Sequence, residues 1–236
     1  KHGGQMSKSK GKGIDPPDMM KLYGTDAVGL SLLVGTTAGN DSRIYEEKIA
    51  TERNFINKLW NVARYIASIS NLPAGRQVSN DDIDCDNLTT ADEWILSKLN
   101  NLILSTTEQI KKYDFSAAGE SLKEFTWNDL ADWYLEATKF SRGSETDKIL
   151  SLILQNILKL WHPFIPFVTE AIWRELGGDN LIVAKWPEDT HHNLTKSSQF
   201  DLVKEIIVAI RNARSENDIE AAKKLDVVIY SGSHDY

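Results

Sequence analysis

The stretch from Ile149 to Trp161 constrains the fold more strongly than any other part of this chain. It is nearly continuous in isoleucine and leucine, and the breaks are Ser151, Gln155, Asn156 and Lys159. Such a stretch predicts a helix that is apolar on most of its sides. That helix needs other elements around it, because it would otherwise expose large apolar side chains to water.

Amphipathic patterns before and after that stretch supply the surrounding helices. They predict helices from near Tyr45 or Glu46 to about Ser68, from Thr90 to about Lys112, over Ala117–Ser141, over Phe167–Leu176 and near Gln199–Glu216. The helix over 117–141 carries two wide apolar stripes, which suits a central helix of a bundle. The last helix is expected to pack through Leu202, Val203, Ile206, Ile207 and Ile210.

Local signals set the ends of these elements. Thr90-Ala91-Asp92-Glu93 reads as a capping box, and Thr25 is expected to cap a short helix near the start of the chain. The stretch Asn71–Thr89 has little periodicity and predicts a linker, and Leu225–Tyr230 is a β-prone run that needs a partner strand. The predicted fold class is therefore all-α, a helical bundle with a short β-prone C-terminal segment.

Composition and charge limit the function classes. The net charge of −7 argues against a general nucleic-acid binder, so any such contact must come from local patches. No run of about 18 apolar residues and no secretory signal pattern is present, so neither a membrane span nor export is indicated. The single cysteine, Cys85, fits a reducing compartment, and we expect the protein to be cytoplasmic.

The stretch Gly3–Gly13 has the composition of a phosphate-binding loop. It holds four glycines, two serines and three lysines, and it runs into a helix start with Asp15 as N-cap and Pro16 at the first helical position. Ammonium and hydroxyl groups on a mobile loop can hold phosphate oxygens. The composition alone, however, favours a flexible, lysine-rich terminus.

One face of the helix near 46–68 has an unusual set of polar residues. The opposite side carries the apolar stripe Phe55, Leu59, Val62, Ala63 and Ile66, with Asn54, Asn57, Lys58, Asn61, Arg64 and Tyr65 across from it. Amides read base edges, cations meet phosphates, and a tyrosine ring stacks on an unpaired base. This face therefore indicates RNA binding, or else a polar face that packs on a neighbour through buried amides.

Several short sequence motifs resemble those of the class I aminoacyl-tRNA synthetases. Met6-Ser7-Lys8-Ser9 resembles their Lys-Met-Ser-Lys-Ser signature loop, and Tyr23-Gly24-Thr25-Asp26-Ala27 the helices after it. Residues 53–65, Arg-Asn-Phe-Ile-Asn-Lys-Leu-Trp-Asn-Val-Ala-Arg-Tyr, look like the first helix of the anticodon-binding domain in the valyl-tRNA synthetases. The segments 127–134 and 162–173 are also close to synthetase motifs, and their residues are expected to hold the bundle together.

The resemblance implies roles for individual residues. Lys8 is expected to be the catalytic residue that steadies ATP phosphates, with Gln5, Met6, Ser7 and Ser9 shaping the loop. Gln5 stands where the family has a lysine, so the loop keeps one of two signature cations. Anticodon contact is expected at Asn57, Lys58, Asn61, Arg64 and Tyr65. Separately from the resemblance, Arg211, Asn212 and Arg214 lie at the end of the last predicted helix and are expected to form a minor patch for the tRNA backbone.

The same resemblance implies the domain plan and the partners. Residues 1–40 would form the signature-loop and stem-contact region, 41–190 the anticodon-binding domain, and 191–236 the last helix and the start of an appendage. The chain would be a piece of a valine–tRNA ligase that uses ATP, Mg²⁺ and valine and binds the valine tRNA, and it is expected to be a monomer. The piece alone is predicted to be inactive, with no cofactor bound.

Alternatives remain at this point. An isoleucyl- or leucyl-tRNA synthetase shares the architecture, and so would a non-catalytic tRNA-binding module or a structural bundle without an RNA partner. No metal site is predicted, because His162 lacks a second ligand at helical spacing and a proline corner explains its position.

Overall fold

The computed structural model describes residues 15–36, 44–70, 77–189 and 197–220, together with residues 223, 224, 226 and 228. These residues contain helices and no β-strand. The α-helices are α1 (Pro16–Tyr23), α2 (Thr25–Leu33), α3 (Glu46–Ile69), α4 (Thr90–Lys111), α5 (Phe115–Glu124), α6 (Leu135–Ala137), α7 (Thr146–Trp161), α8 (Pro166–Glu175) and α9 (Ser197–Glu216). The all-α prediction is confirmed, while most of the β-prone run Leu225–Tyr230 lies outside the described residues.

Helix α7 lies at the centre of the bundle, as its composition predicts. It packs against α3, α4, α5 and α8, and its large residues from Ile149 to Trp161 are almost fully buried. Two of the polar interruptions, Gln155 and Asn156, are buried as well, and local hydrogen bonds satisfy their side-chain N–H groups. Asn156 Nδ2 donates to the carbonyl of Leu152 at 2.9 Å, one turn earlier.

The predicted apolar stripe of α3 is confirmed residue by residue. Phe55, Leu59, Val62, Ala63 and Ile66 are all buried, and none is more than 6% exposed. Because α3 is amphipathic, burying this stripe against α7 leaves the face with the asparagines on the outside. The helix ends at Ile69, one residue beyond the predicted end.

Two predicted caps are each displaced by one residue. The capping box of α4 uses Thr89, whose hydroxyl accepts from the Asp92 N–H while Asp92 accepts from the Thr89 N–H. The prediction chose Thr90 because threonine is a good cap at either position. Helix α2 begins at Thr25 and its N-cap is Gly24, whose φ of 91° suits glycine.

The helix predicted over 117–141 contains an unpredicted π-helix. Helix α5, the π-helix Phe125–Tyr134 and α6 form one continuous segment, which we call the 115–137 segment. Inside it, the Thr126 hydroxyl donates to the Leu122 carbonyl at 2.7 Å and accepts from the Trp161 indole at 3.1 Å. The apolar pattern predicted a helix but not its pitch, since α and π turns both keep one side apolar.

Helix α9 is rotated relative to the predicted packing, although the three isoleucines of the prediction are half-buried. Phe200 is buried, with its ring 4.9 Å from that of Trp94, and the Trp94 indole donates to Asp201. Leu202 and Val203 are 56% and 42% exposed, so the predicted packing is wrong for both. The aromatic and hydrogen-bonding contacts of Trp94 set the rotation of the helix, and an apolar pattern cannot show them.

The predicted linker is partly folded onto the bundle. Two 3₁₀ turns, Asn80–Asp82 and Cys85–Asn87, lie in it, and Val78 and Ile83 are buried in the main core. Its backbone is also held, since the Asp84 N–H donates to the carboxylate of Glu145. Residues 71–76 lie outside the described part of the chain.

Helices α1 and α2 pack on the outside of the bundle around a second, small core. Ala27, Val28 and Ile49 form this core. The buried carboxylate of Asp26 accepts from the N–H groups of Phe167 and Val168, at 3.3 and 2.7 Å. Asp26 therefore caps α8 from a position 141 residues earlier in the chain, and it ties the N-terminal helix pair to the bundle.

Candidate nucleic-acid interface

The polar face of α3 lies along an open groove of about 540 Å³. The opposite wall comes from the 115–137 segment and the residues just after it. Four of the five predicted anticodon contacts line this groove: Asn57, Lys58, Asn61 and Tyr65. Asn57 and Asn61 are exposed, and Lys58 and Tyr65 are half-buried. The amides are therefore not buried against a neighbour in the described structure, and the groove is accessible to a ligand.

Lys58 is held in one place by the opposite wall. Its ammonium nitrogen lies 2.9 Å from Asp132 Oδ1 and 4.1 Å from the centroid of the Trp127 ring. A cation over an indole ring is attracted to it, so Asp132 and Trp127 together fix the ammonium inside the groove. This arrangement limits how far Lys58 can reach toward a distant phosphate.

Arg64 lies apart from the other four predicted residues. It lines a second groove, of about 230 Å³, between α3 and α8. Trp60 lines the same groove and is half-buried. The structure therefore brings together Asn57, Lys58, Asn61 and Tyr65, and places Arg64 on the neighbouring side of the helix.

The opposite wall holds residues that the sequence did not suggest as contacts. Trp127, Asp132, Glu136 and Lys139 all line the groove, and Lys139 pairs with Glu136 at 2.6 Å. The hydrogen bond that the Lys139 ammonium donates to Glu136 raises the pKa of Lys139. The resemblance to the synthetases included residues 127–134, but only as a motif expected to hold the bundle together. Only the π-helical pitch shows which of its side chains face α3.

The predicted ATP-binding loop, Gln5, Met6, Ser7, Lys8 and Ser9, lies outside the described residues. Helix α1, which follows the loop, begins at Pro16 with Asp15 at its N-cap, as predicted. Its C-terminal end is fastened to α3, because the Tyr23 hydroxyl donates to Glu46 at 2.7 Å and Arg53 donates to the carbonyl of Leu22 at 3.3 Å. The loop thus leads into a helix that is anchored to the bundle.

The patch predicted at the end of α9 has its cations engaged within the protein. The Arg211 guanidinium lies 5.3 Å from the centroid of the Trp133 ring. Arg214 donates to the carbonyls of Glu220 and Lys223, while Asn212 is exposed. These contacts reduce what Arg211 and Arg214 can offer to an RNA backbone.

The described ranges contain neither a metal-binding cluster nor a membrane-spanning helix. No group of three or more His, Cys, Asp or Glu side chains there could hold a metal ion. His162 Nδ1 instead lies 2.9 Å from the hydroxyl of Thr169. None of the helices described above is long and apolar enough to cross a membrane.

Comparisons with known proteins bear on the family and the fold of the chain. Residues 92–229 match the family described as the anticodon-binding domain of tRNA ligase. The fold resembles a crystal structure of the ternary complex of Agrobacterium radiobacter K84 agnB2 LeuRS with tRNA and LeuAMS. That alignment has a TM-score of 0.65 and 24% identity, and it covers 82% of this chain and 23% of that one.

The family match covers more than half of the chain, so the chain belongs to the anticodon-binding domains of tRNA ligases. Within that class its relatives are valine–tRNA ligases. Those of Staphylococcus aureus strains JH9 and Newman are each 38% identical over 239 residues, which is 96% of this chain and 27% of the relative. The chain therefore spans about a quarter of the length of these relatives.

Proposed function

We propose that this chain is the part of a valine–tRNA ligase that binds the anticodon arm of the valine tRNA. The observation that carries the proposal is the α3 groove, where Asn57, Lys58, Asn61 and Tyr65 lie together and accessible. Amides and a ring of this kind suit unpaired bases, because amides hydrogen-bond base edges and aromatic rings stack on them. The identity to valine–tRNA ligases supports valine over isoleucine or leucine.

The proposal extends to the activity of the longer protein. That protein would use ATP and Mg²⁺ to activate valine and would esterify the tRNA in the cytoplasm, as a monomer. Lys8, with Gln5, Met6, Ser7 and Ser9, would stabilise the charge that develops on the ATP phosphates, which is usually the largest catalytic contribution. The loop region 1–40 would act beside the anticodon-binding domain 41–190, with 191–236 as an appendage.

The test of tRNA recognition is the loss of the ring at Tyr65. Tyr65→Ala should weaken binding of an RNA hairpin whose loop carries a valine anticodon by about 10- to 100-fold, because stacking contributes roughly 1–3 kcal/mol per base. Tyr65→Phe should bind almost normally, since it keeps the ring. Fluorescence anisotropy with a labelled hairpin measures both dissociation constants.

Phe140→Ala is the matched control, because Phe140 is 91% exposed and lies outside the groove. Its affinity for the hairpin should equal that of the wild type. Equal affinity in Tyr65→Ala, with a normal circular dichroism spectrum, would contradict the proposed recognition surface. Absence of binding in the wild type at low salt would favour a structural bundle with no RNA partner.

A further inference from the structure

The π-helix places Trp127 and Asp132 on the same side of the 115–137 segment. A π-helix hydrogen-bonds each residue to the fifth one along and not the fourth, so residues five apart stay on one side. Trp127 and Asp132 are five apart and both line the α3 groove. Leu130 and Tyr134, between and beside them, are fully buried on the core side. In an α-helix Asp132 would point well away from Trp127.

The charges in the groove nearly cancel. Lys58 pairs with Asp132 at 2.9 Å and Lys139 with Glu136 at 2.6 Å, so two ammonium groups face two carboxylates. A phosphate placed here would meet both carboxylates, and like charges repel. An uncharged base would meet hydrogen-bond donors and acceptors without that cost. The groove therefore suits a nucleobase better than the RNA backbone.

Asp132 and Lys58 present an acceptor and a donor side by side. The Asp132 side chain is half exposed, and its Oδ1 accepts from Lys58 while a carboxylate has capacity for further donors. The ammonium has three donors, of which Asp132 takes one. The Trp127 ring holds the ammonium 4.1 Å from its centroid and keeps the pair together. The edge of a base could span both groups.

We propose that Asp132 is a specificity-determining residue that accepts a hydrogen bond from the exocyclic amino group of one unpaired anticodon base. Lys58 donates to the adjacent ring nitrogen of that base, and Trp127 is the positioning residue that holds Lys58. Carboxylates accept from the amino group of cytosine in the same way at other nucleic-acid interfaces. This inference rests on the proposed tRNA recognition and adds to it the class of base that the groove selects.

Uracil fits this pair of groups poorly. When position 4 of the base faces Asp132 and N3 faces Lys58, as in the cytosine contact, uracil directs its O4 carbonyl at the carboxylate and its ring N–H at the ammonium, so both contacts are unfavourable. Cytosine and adenine carry an amino group beside an unprotonated ring nitrogen, which matches an acceptor beside a donor. Valine codons begin with GU, so valine anticodons end in A-C, whereas an isoleucine anticodon ends in A-U. The groove would thereby separate cytosine from uracil.

The experiment compares two RNA hairpins that differ in one base. One loop carries a valine anticodon ending in A-C, and the other ends in A-U. The wild-type chain should bind the A-C hairpin about 10- to 100-fold more tightly, as a single base-specific contact commonly discriminates. Asp132→Asn should reduce that ratio to about threefold or less, because an amide can turn its N–H₂ toward the uracil carbonyl.

Glu120→Gln is the matched control, since Glu120 is an exposed acid on the same segment outside the groove. It should leave the ratio unchanged. Trp127→Phe should keep most of the discrimination between the two hairpins, whereas Trp127→Leu should lose it. The two variants should have equal melting temperatures. A merely structural role would move stability and not the ratio.

The outcomes separate this inference from the proposed function. A wild-type chain that binds both hairpins equally overturns the assignment of Asp132 and leaves tRNA binding intact. An unchanged ratio in a folded Asp132→Asn variant also overturns it. If the wild type binds neither hairpin, the proposed recognition itself fails, and the inference fails with it.

Discussion

At the residue scale, a buried carboxylate joins three helical elements. Asp92 is 1% exposed, and its Oδ2 accepts from the N–H and hydroxyl of Thr89 at 3.0 and 2.7 Å. Its Oδ1 accepts from the Tyr134 hydroxyl at 2.5 Å and lies 3.5 Å from the Thr146 hydroxyl. Burial, and then the charge of Asp92, raise the pKa of Tyr134 well above its usual value, so the hydroxyl stays a donor.

We expect Tyr134→Phe to destabilise the protein by about 1–3 kcal/mol, because it removes one donor from a buried carboxylate. The free energy of unfolding in urea measures the loss. Tyr113→Phe is the matched control, since Tyr113 is 81% exposed and its hydroxyl is open to water. It should change stability by less than about 0.5 kcal/mol. Equal effects of the two substitutions would contradict the role given to the Tyr134 hydroxyl.

The same scale shows what the sequence could and could not predict about the site. The polar side of α3 follows from helical periodicity, so Asn57 and Asn61 were predictable as accessible groups. The partner of Lys58 was not, because Asp132 lies 74 residues away and faces the groove only through the π-helical pitch. The sequence grouped Arg64 with the four residues of the α3 groove. A helical projection of α3 does not show that Arg64 lies instead in the second groove, against α8.

At the scale of elements, one side chain fixes α2 against α8. Burial is the main cause that raises the pKa of Asp26 above 3.8, and the N–H groups of Val168 and Phe167 oppose it. A raised folded pKa means that ionisation of Asp26 costs more in the native state than in the unfolded chain. Its contribution to stability is therefore fully present below the unfolded pKa and falls as the pH rises from there through the raised folded pKa.

We expect Asp26→Ala to cost about 1 kcal/mol, the usual effect of losing a cap. Asp26→Asn should stay close to the wild type at neutral pH, because its carbonyl still accepts from Val168 and it avoids the ionisation cost. As the pH falls toward about 4, the unfolding free energy of the wild type should increase relative to that of Asp26→Asn. A difference that shifts the opposite way would contradict the raised pKa.

Element boundaries were predictable where a strong local signal exists. Helices α3, α4 and α8 begin within a residue of their predicted starts, because caps and prolines act over one turn. The rotation of α9 was not predictable, since Trp94 and Asp201 decide it from different elements. The π-helix was not predictable either, and one of the contacts within it, the hydrogen bond from the Trp161 indole to Thr126, joins residues 35 positions apart.

At the scale of the whole molecule, charge limits how RNA can bind. The chain has 27 Lys and Arg against 34 Asp and Glu, a net charge of −7. The α3 groove adds little positive potential, because both of its lysines are paired with carboxylates. Recognition would therefore depend mainly on base contacts, with few phosphate contacts. Arg64, exposed at the edge of α3, is the cation we expect to meet a phosphate.

We therefore expect a shallow salt dependence for the hairpin with the valine anticodon. Each phosphate contact to a single strand contributes about −0.7 to the slope of log K against log salt, so two or three contacts give roughly −1.4 to −2.1. Arg64→Ala should reduce the slope by about one contact and weaken the A-C and A-U hairpins equally. Lys185→Ala, an exposed cation outside the groove, should leave the slope unchanged. Anisotropy titrations over a salt series measure these slopes, and a steep wild-type slope that Arg64→Ala does not alter would place the phosphate contacts elsewhere on the molecule.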